Sequence, residues 1–238
     1  MDQFESLYTT LPTITKGASK EELATGDSDG FAKFILALYC IICVVGITGN
    51  LLVAIVLLRV PSLRSNTSDF LVHLSIEDFM ACVLVIPFYL MPRPKAAPSP
   101  GFFGEFWCRF YRNSFLFWFF TMTSVLGLTA VNLERYVAIV HPHKYKTLFI
   151  KRNKYIMIAA CWVLAAVSRS YFFFIIYEED EVVGCHFKGW SSGGAQVTFG
   201  LYTFTVNFFA PFIVMIFAQL KVISTLNRQV KMLTSRTV

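Results

Sequence analysis

The chain has 238 residues, of which 55% are hydrophobic and 15% are charged, and its mean hydropathy is +0.57. This composition excludes a single soluble domain and predicts that long segments lie in lipid. The formal net charge of +6 follows membrane topology, as described below, so nucleic acid is not expected as a partner.

The chain divides into a polar tail and five apolar runs. Residues 1–33 are polar, and we expect them to form a disordered extracellular tail. Each run approaches or exceeds the ~20 residues that a helix needs to cross hydrocarbon. The predicted spans cover about residues 34–58, 70–92, 108–140, 155–177 and 197–220. Because lipid offers the backbone no other partners, we predict an all-α membrane helix bundle over residues 34–226, with 227–238 beginning the third cytoplasmic loop.

Charged residues between the runs predict the orientation. The connections after the first, third and fifth runs are basic: they contain Arg59, Arg64, Lys144, Lys146, Lys151, Arg152, Lys154, Lys221, Arg228, Lys231 and Arg236. The N-terminal tail and the loop after the fourth run contain the acids Asp2, Glu5, Glu21, Glu22, Asp27, Asp29, Glu178, Glu179, Asp180 and Glu181. Basic loops face the cytoplasm. The N-terminus is therefore predicted outside and the C-terminus inside.

Polar side chains within the spans predict an interhelical core. Asp78 lies roughly 13 Å from the inner end of the second span and Ser124 roughly 16 Å outward from Arg135, at ~1.5 Å per residue, so the two share a depth. Asn50 lies in the inner half of the first span. A carboxylate at mid-membrane is expected to face a partner inside the bundle. A structural hydrogen-bond network and a cation site, for sodium, both remain open.

The third span carries one continuous stripe of side chains. Its members recur at steps of three and four residues: Phe117, Thr121, Ser124, Leu128, Val131 and Arg135. The outer members, Phe117 and Thr121, would line a cavity open to the exterior. At the inner end, Glu134-Arg135-Tyr136 places an acid beside a base. Such a pair can separate when another partner binds the arginine, although Arg135 could also be a simple interface anchor.

Two of the six cysteines lie on the predicted outer side. Cys108 begins the third span, and Cys185 lies in the loop after the fourth. A disulfide between them is predicted because the exterior is oxidising. The remaining cysteines lie within apolar spans, and no cysteine or histidine spacing predicts a metal site.

Five motifs occur in order on the five spans. They are Gly46-Ile47-Thr48-Gly49-Asn50, Leu74-Ser75-Ile76-Glu77-Asp78 with Pro87, Glu134-Arg135-Tyr136 with Pro142, Trp162, and Phe208-Phe209-Ala210-Pro211. In order and in span assignment, they resemble the signatures of the rhodopsin-like G-protein-coupled receptors. The resemblance covers nearly everything after the tail. It implies a bundle of seven helices and signalling to a heterotrimeric G protein at the plasma membrane.

The resemblance also implies roles for single residues. Asn50 and Asp78 match the interhelical polar core of the family, and Asp78 with Ser124 matches positions that bind sodium in many members. Arg135 matches the arginine that meets the G protein in the active state, and Glu134 matches its resting-state partner. No cofactor is implied.

At the outer side, the resemblance implies the disulfide between Cys108 and Cys185 and a bend at Pro211, where proline removes one helical hydrogen bond. One departure has a structural consequence. Cys108 lies two residues further from Arg135 than the family pattern gives, which predicts a bulge at the start of the third helix.

Further departures concern coupling and ligand. Arg169 and Ser170 stand where the fourth span usually has a proline, His143 stands in place of an apolar residue, and Gln219 replaces a fifth-helix tyrosine. Phe117 stands where amine receptors carry an aspartate, which argues against a monoamine ligand. A peptide is favoured by the acidic second outer loop, and a lipid remains open.

The chain ends at Val238, before the sixth and seventh spans that the resemblance implies. We therefore expect a receptor truncated after its fifth helix, as an incomplete product or, alternatively, as a non-signalling isoform that modulates full-length receptors. A transporter or channel is less favoured because matched repeats are missing. An enzyme is not expected, since Glu77, Asp78 and His73 form no nucleophile or metal set; Glu77 and His73 have no definite role.

Overall fold

A computed structural model describes residues 22–63, 65–91, 101–112, 114–173, 177–180, 184–187, 190 and 192–235. The helices are α1 (Glu22–Arg59), α2 (Asn66–Val85), α3 (Phe102–Trp107), α4 (Phe115–Val140), α5 (Pro142–Leu148), α6 (Lys151–Arg169), α7 (Gly193–Phe204) and α8 (Ala210–Thr234). Residues 1–21 of the predicted tail lie outside the described part. Helix α1 begins inside the segment that the sequence assigns to the tail.

Four of the described helical segments are long and apolar enough to cross a membrane. They are Gly30–Arg59, Thr67–Leu90, Phe115–Val140 and Gly193–Thr234. They correspond to the predicted first, second, third and fifth spans. Helix α6 is not among them, because lysine and arginine at its two ends lower its hydropathy. A helical membrane bundle is thus confirmed, and the fifth crossing stays a prediction.

The predicted outer end of the fourth span, at residue 177, is wrong. Helix α6 ends at Arg169, a 3-10 turn covers Ser170–Phe173, and Tyr177 opens strand β1 (Tyr177–Asp180). Strand β1 pairs antiparallel with β2 (Gly184–Phe187), so the outer loop adds a small hairpin to the predicted all-α fold. Aromatic and β-branched residues are apolar and are common in strands as well as in membrane helices, so hydropathy alone does not distinguish a strand from a helix in this segment.

The third span is interrupted near its outer end. A π-helical turn covers Cys108–Arg112, and Ser114 adopts a left-handed conformation with φ 55° before α4 begins. A π turn accommodates one extra residue per turn, which is where an insertion relative to a regular helix is expected. The predicted bulge is confirmed, and the continuous helix predicted over 108–140 starts instead at Phe115.

The fifth span is continuous but also contains a π turn. Helix α7 passes through the π turn Thr205–Phe209 into α8, whose second residue is Pro211. Because proline has no backbone N–H and its ring clashes with the preceding turn, a wider turn at this point relieves the helix. This geometry is consistent with the bend that the sequence places at Pro211.

Helix α4 is the centre of the bundle. It packs against α2, α6 and α8, while α1 packs on the far side of α2. A buried apolar cluster joins these elements near the inner end and consists of Phe70, Ala130, Val131, Phe149 and Cys161. The hairpin packs on the turn that begins at Cys108. Large apolar side chains on the outer faces of α1, α7 and α8 are exposed, as expected for helices that contact lipid.

Helices α1 and α2 approach closely at Gly46. A Cβ atom built at Gly46 would overlap the side chain of Cys82, whereas a Cβ at Gly49 would meet nothing within 4 Å. The Cys43 thiol also lies 3.6 Å from the Cys82 carbonyl oxygen. The first motif therefore supplies a small residue where two helix backbones must approach.

Gly46→Val is expected to lower the stability of the bundle by about 1–3 kcal/mol through overpacking. The measurement is the thermal unfolding midpoint of the purified chain in detergent. Gly49→Val is the matched control, because it adds the same side chain three residues away in open space. Equal midpoints for the two variants would contradict this account of α1–α2 packing.

Candidate functional site

The acid of the inner motif is buried, and one of its two oxygens is bound by two other helices. The side chain of Glu134 is 1% exposed, and its Oε1 accepts hydrogen bonds from the Thr67 hydroxyl at 2.9 Å and the Tyr145 hydroxyl at 2.7 Å. Thr67 belongs to α2 and Tyr145 to α5. One carboxylate therefore connects the second span, the third span and the loop helix that follows it.

Aromatic packing holds α5 in place for this contact. Pro142 occupies the first turn of α5, where a missing N–H is tolerated. The Tyr145 ring stacks on Phe149 with centroids 5.0 Å apart, and buried Phe149 meets Phe70 edge-on at 6.4 Å. Packing of Phe149 in the core therefore fixes the position of α5, and with it the position of the Tyr145 hydroxyl next to Glu134.

Arg135 points away from this cluster. It is exposed, and none of the hydrogen bonds or ion pairs found among the described residues involves it. Neighbours along a helix do not face each other, so Glu134 can enter the bundle while Arg135 faces outward. The structure does not bring together the acid and base that the resemblance pairs.

The third residue of the motif contacts the fifth span. The Tyr136 hydroxyl lies 3.3 Å from Nε2 of His141, and its ring lies 6.0 Å from that of Phe217 on α8. One turn outward, Nε2 of Gln219 donates a 2.5 Å hydrogen bond to Oδ1 of Asn132. Gln219, noted in the sequence for replacing a tyrosine, therefore links α8 to α4.

The predicted polar core forms in part. The Ser124 hydroxyl donates to Oδ1 of Asp78 at 2.5 Å, which confirms that the two share a depth. The Asn50 amide instead donates to the Gly46 carbonyl of its own helix at 2.9 Å. Within the described parts of the chain, no group of three or more His, Cys, Asp or Glu side chains is placed to hold a metal ion.

A second polar cluster, centred on a buried carboxylate, lies beside this core and was not predicted. The Trp162 indole N–H donates to Nε2 of His73 at 2.5 Å, and Nδ1 of His73 lies 3.3 Å from Oε1 of Glu77. Glu77 is 0% exposed, and its Oε2 would lie 2.8 Å from a Cβ atom at Gly127. Glycine is required there because the carboxylate occupies the space. The spacing of four residues between His73 and Glu77 places both on one face of a helix, and this spacing could have predicted their contact from the sequence.

The candidate cavity residues lie on the outer part of α4. The Thr121 hydroxyl donates to the Phe117 carbonyl of its own helix at 2.8 Å. The Phe117 ring lies 5.1 Å from Tyr89, in the π turn Ile86–Leu90 that follows α2. Both side chains are half-buried. The described residues of this wall are mainly aromatic, and none of them is an acid that could pair with an amine.

Cys108 is disulfide-bonded. The backbone of Cys185 lies in β2, which packs against the turn that begins at Cys108, but its side chain lies outside the described residues. The pairing of the two cysteines stays a prediction. Cys40, Cys43, Cys82 and Cys161 are free thiols; Cys43 and Cys161 are buried, Cys82 is partly buried and Cys40 is exposed.

Comparison with known proteins decides the family. Residues 49–237 match the family described as 7 transmembrane receptor (rhodopsin family). The chain belongs to the rhodopsin family of seven-transmembrane receptors.

Individual receptors of the rhodopsin family resemble the chain over most of its length. The octopamine receptor beta-2R of Chilo suppressalis is 29% identical over 237 residues, covering 95% of this chain and 57% of the relative. The cholecystokinin receptor of Xenopus laevis is 31% identical over 77% of this chain and 41% of its own. For the galanin receptor type 1 of Rattus norvegicus, identity is 28% over 87% of this chain and 60% of the relative.

Membership confirms the resemblance stated from the motifs. The chain is a rhodopsin-family receptor sequence and a multi-pass membrane protein, and it is not an enzyme, since its relatives are receptors. It spans roughly half the length of these relatives, between 41% and 60%.

Tyr145→Phe is expected to destabilise the bundle by about 1–3 kcal/mol, because buried Glu134 loses a donor and keeps only Thr67. The thermal unfolding midpoint of the purified chain measures the effect. Tyr155→Phe is the control, since Tyr155 is 61% exposed and loses the same atom. A midpoint shift no larger for Tyr145→Phe than for the control would contradict the role given to this bond.

Proposed function

We propose that this chain forms the first five spans of a plasma-membrane receptor that transmits the binding of an extracellular ligand to a heterotrimeric G protein. The N-terminus lies outside and the C-terminus inside. The observation that carries the proposal is the exposed Arg135 at the inner end of α4, beside a Glu134 that is bound elsewhere.

Helix α6, the fourth span in chain order, is the remaining membrane crossing that we propose. Its support is its packing against α4 and α2 at the level of the buried core, together with the exposed apolar side chains Val163, Leu164 and Val167 on its outward face. Nineteen helical residues followed by a 3-10 turn approach the thickness of the hydrocarbon layer. Basic residues at its start, Lys151 and Arg152, support the inner side for that end.

Arg135 is the proposed contact for the G protein. A guanidinium presents five N–H donors in a fixed geometry, which suits backbone carbonyls and carboxylates of a protein partner. Because Glu134 is held by Thr67 and Tyr145, no carboxylate of its own motif competes for Arg135. Helix α5 lies next to it with His143 exposed, which extends the same inner surface.

Activation has to act on the contacts between α4 and α8. The Asn132–Gln219 bond lies three residues outward from Arg135 and fastens these two helices. A movement of α8 that opens the inner surface would break this bond. Since amides can find water at the membrane edge, the cost of breaking it is small compared with that of separating a buried pair.

The proposed ligand is a peptide. Relatives are named for an amine, octopamine, and for peptides, cholecystokinin and galanin. Two features of this chain favour a peptide: Phe117 offers no carboxylate to an amine, and the second outer loop contains Glu178, Glu179, Asp180 and Glu181, which suit basic side chains of a larger ligand.

Asp78 and Ser124 are the proposed sodium ligands. Their oxygens lie 2.5 Å apart in the bundle interior, and hard cations prefer carboxylate and hydroxyl oxygens. A hydrogen-bond network without the ion is the alternative. The two differ in their response to sodium.

In a receptor that carries this chain together with a sixth and a seventh span, Arg135→Ala is expected to reduce G-protein activation by about tenfold or more, as for loss of a hydrogen-bonded charge. Nucleotide exchange on a purified heterotrimeric G protein is the measurement. Arg109→Ala removes a cation that pairs with Glu105 on the opposite side of the bundle and should leave exchange unchanged. Full exchange with Arg135→Ala would remove the proposed role.

Replacing potassium by sodium at constant ionic strength is expected to raise the unfolding midpoint of the purified chain, because an ion that binds only the folded state stabilises it. Asp78→Asn should abolish this difference. Asp69→Asn, the same change at the inner end of the same helix, should preserve it. A sodium effect that survives Asp78→Asn, or no effect in the unaltered chain, would favour the hydrogen-bond network.

A further inference from the structure

Two cationic side chains are buried in the described part of the chain, and they differ in their partners. Lys154 and Arg169, at the inner and outer ends of α6, are each 3% exposed. Lys154 forms an ion pair with Asp69 of α2. Among the described ion pairs, none includes Arg169. Within the described residues, one buried cation therefore has a carboxylate partner and the other has none.

The surroundings of Arg169 leave hydrogen-bond donors unused. Its Nη1 donates to the Tyr171 hydroxyl at 2.9 Å, and its Cζ lies 5.7 Å from the centroid of the Trp118 ring. Its Nε is buried and makes no hydrogen bond. A guanidinium stays charged and carries five N–H donors. A neutral hydroxyl and an aromatic face satisfy only part of this charge.

Aromatic side chains from two helices and a turn lie next to Arg169. Trp118 comes from α4, and Tyr171 belongs to the 3-10 turn Ser170–Phe173 that follows α6. From α7, Phe199 meets the Tyr171 ring edge-on at 4.7 Å, and Tyr202, which is 41% exposed, meets it at 6.3 Å. The buried guanidinium therefore lies at the edge of an aromatic cluster.

This aromatic cluster adjoins the candidate cavity residues Phe117 and Thr121 on α4. Trp118 follows Phe117 directly, and their rings lie 5.2 Å apart. Thr121 lies one turn further along α4. A ligand that reaches the wall formed by Phe117 and Thr121 comes within one residue of the ring that covers Arg169.

We propose that Arg169 binds the carboxylate of the extracellular ligand, and that the part of the ligand next to this carboxylate is aromatic or apolar. A carboxylate matches the planar guanidinium with two parallel hydrogen bonds and supplies the missing negative charge. The incoming carboxylate displaces the Tyr171 hydroxyl, because this hydroxyl accepts a hydrogen bond from Nη1 of Arg169. The proposal rests on the proposed receptor function and adds the chemical class of the ligand.

Two sources of such a carboxylate are a small aromatic acid and the C-terminal residue of a peptide. The probes are 3-phenylpropionate for the first and N-acetylphenylalanine for the second. The neutral counterparts, 3-phenylpropanamide and N-acetylphenylalanine amide, keep the shape and lose the charge. Binding to the purified full chain in lipid nanodiscs is followed by tryptophan fluorescence, since Trp118 lies against the site, and by the thermal unfolding midpoint.

At least one acid is expected to bind saturably and at least about tenfold more tightly than its amide, as for a hydrogen bond between charged groups. Arg169→Gln should abolish this preference, and Arg169→Lys should retain part of it. Arg109→Gln is the matched control, because Arg109 is an outer cation that already pairs with Glu105 at 3.4 Å. This control should bind the acid like the unaltered chain.

Equal binding of acid and amide to the unaltered chain, or no saturable binding of either acid, would overturn the proposal without any reference to a variant. Acid binding that is unchanged by Arg169→Gln would also overturn it. If Arg169→Gln fails to fold, the comparison of acid with amide and the partial effect of Arg169→Lys still decide. These readouts need no G protein, so a failure here is distinct from a failure of nucleotide exchange through Arg135.

Discussion

The inner end of the bundle depends on the buried carboxylate of Glu134. It accepts hydrogen bonds from a threonine of α2 and a tyrosine of α5, so three elements converge on one oxygen atom. A carboxylate that is withdrawn from solvent in this way has to keep its donors, because an unsatisfied buried acid is costly. The position of Arg135 follows from the same constraint: with its neighbour turned inward, the guanidinium faces the surface where a protein partner can reach it.

Polar contacts between the spans also determine how the other helices meet. Asp78 with Ser124 joins α2 to α4, Trp162 with His73 joins α6 to α2, and Asn132 with Gln219 joins α4 to α8. Apolar packing in lipid has little preference for one rotation of a helix over another, whereas a hydrogen bond selects one. Each of these pairs therefore fixes the rotation of a helix as well as its position.

The sequence predicted what depends on local pattern. Apolar runs located four spans, and the equal depth of Asp78 and Ser124 followed from the rise of a helix. The spacing between Cys108 and Arg135, two residues longer than in the family pattern, predicted the bulge before Phe115. Contacts between residues far apart in the chain were not predictable: nothing in the motif shows that Glu134 selects Thr67 and Tyr145 in preference to Arg135. The predicted outer end of the fourth span was wrong because the aromatic residues after Arg169 are compatible with a turn and a strand as well as with a helix. Arg169 itself was noted in the sequence only because it stands in place of a proline.

The hydrogen bond between Trp162 and His73 gives the contact between α6 and α2 a direction. An indole N–H can only donate, so Nε2 of His73 is the acceptor of this bond. The other ring nitrogen, Nδ1, is then the one that faces Oε1 of Glu77 at 3.3 Å. A single imidazole thus orients the indole of one helix towards a buried carboxylate of another, and a side chain with one ring nitrogen could not replace it in both contacts.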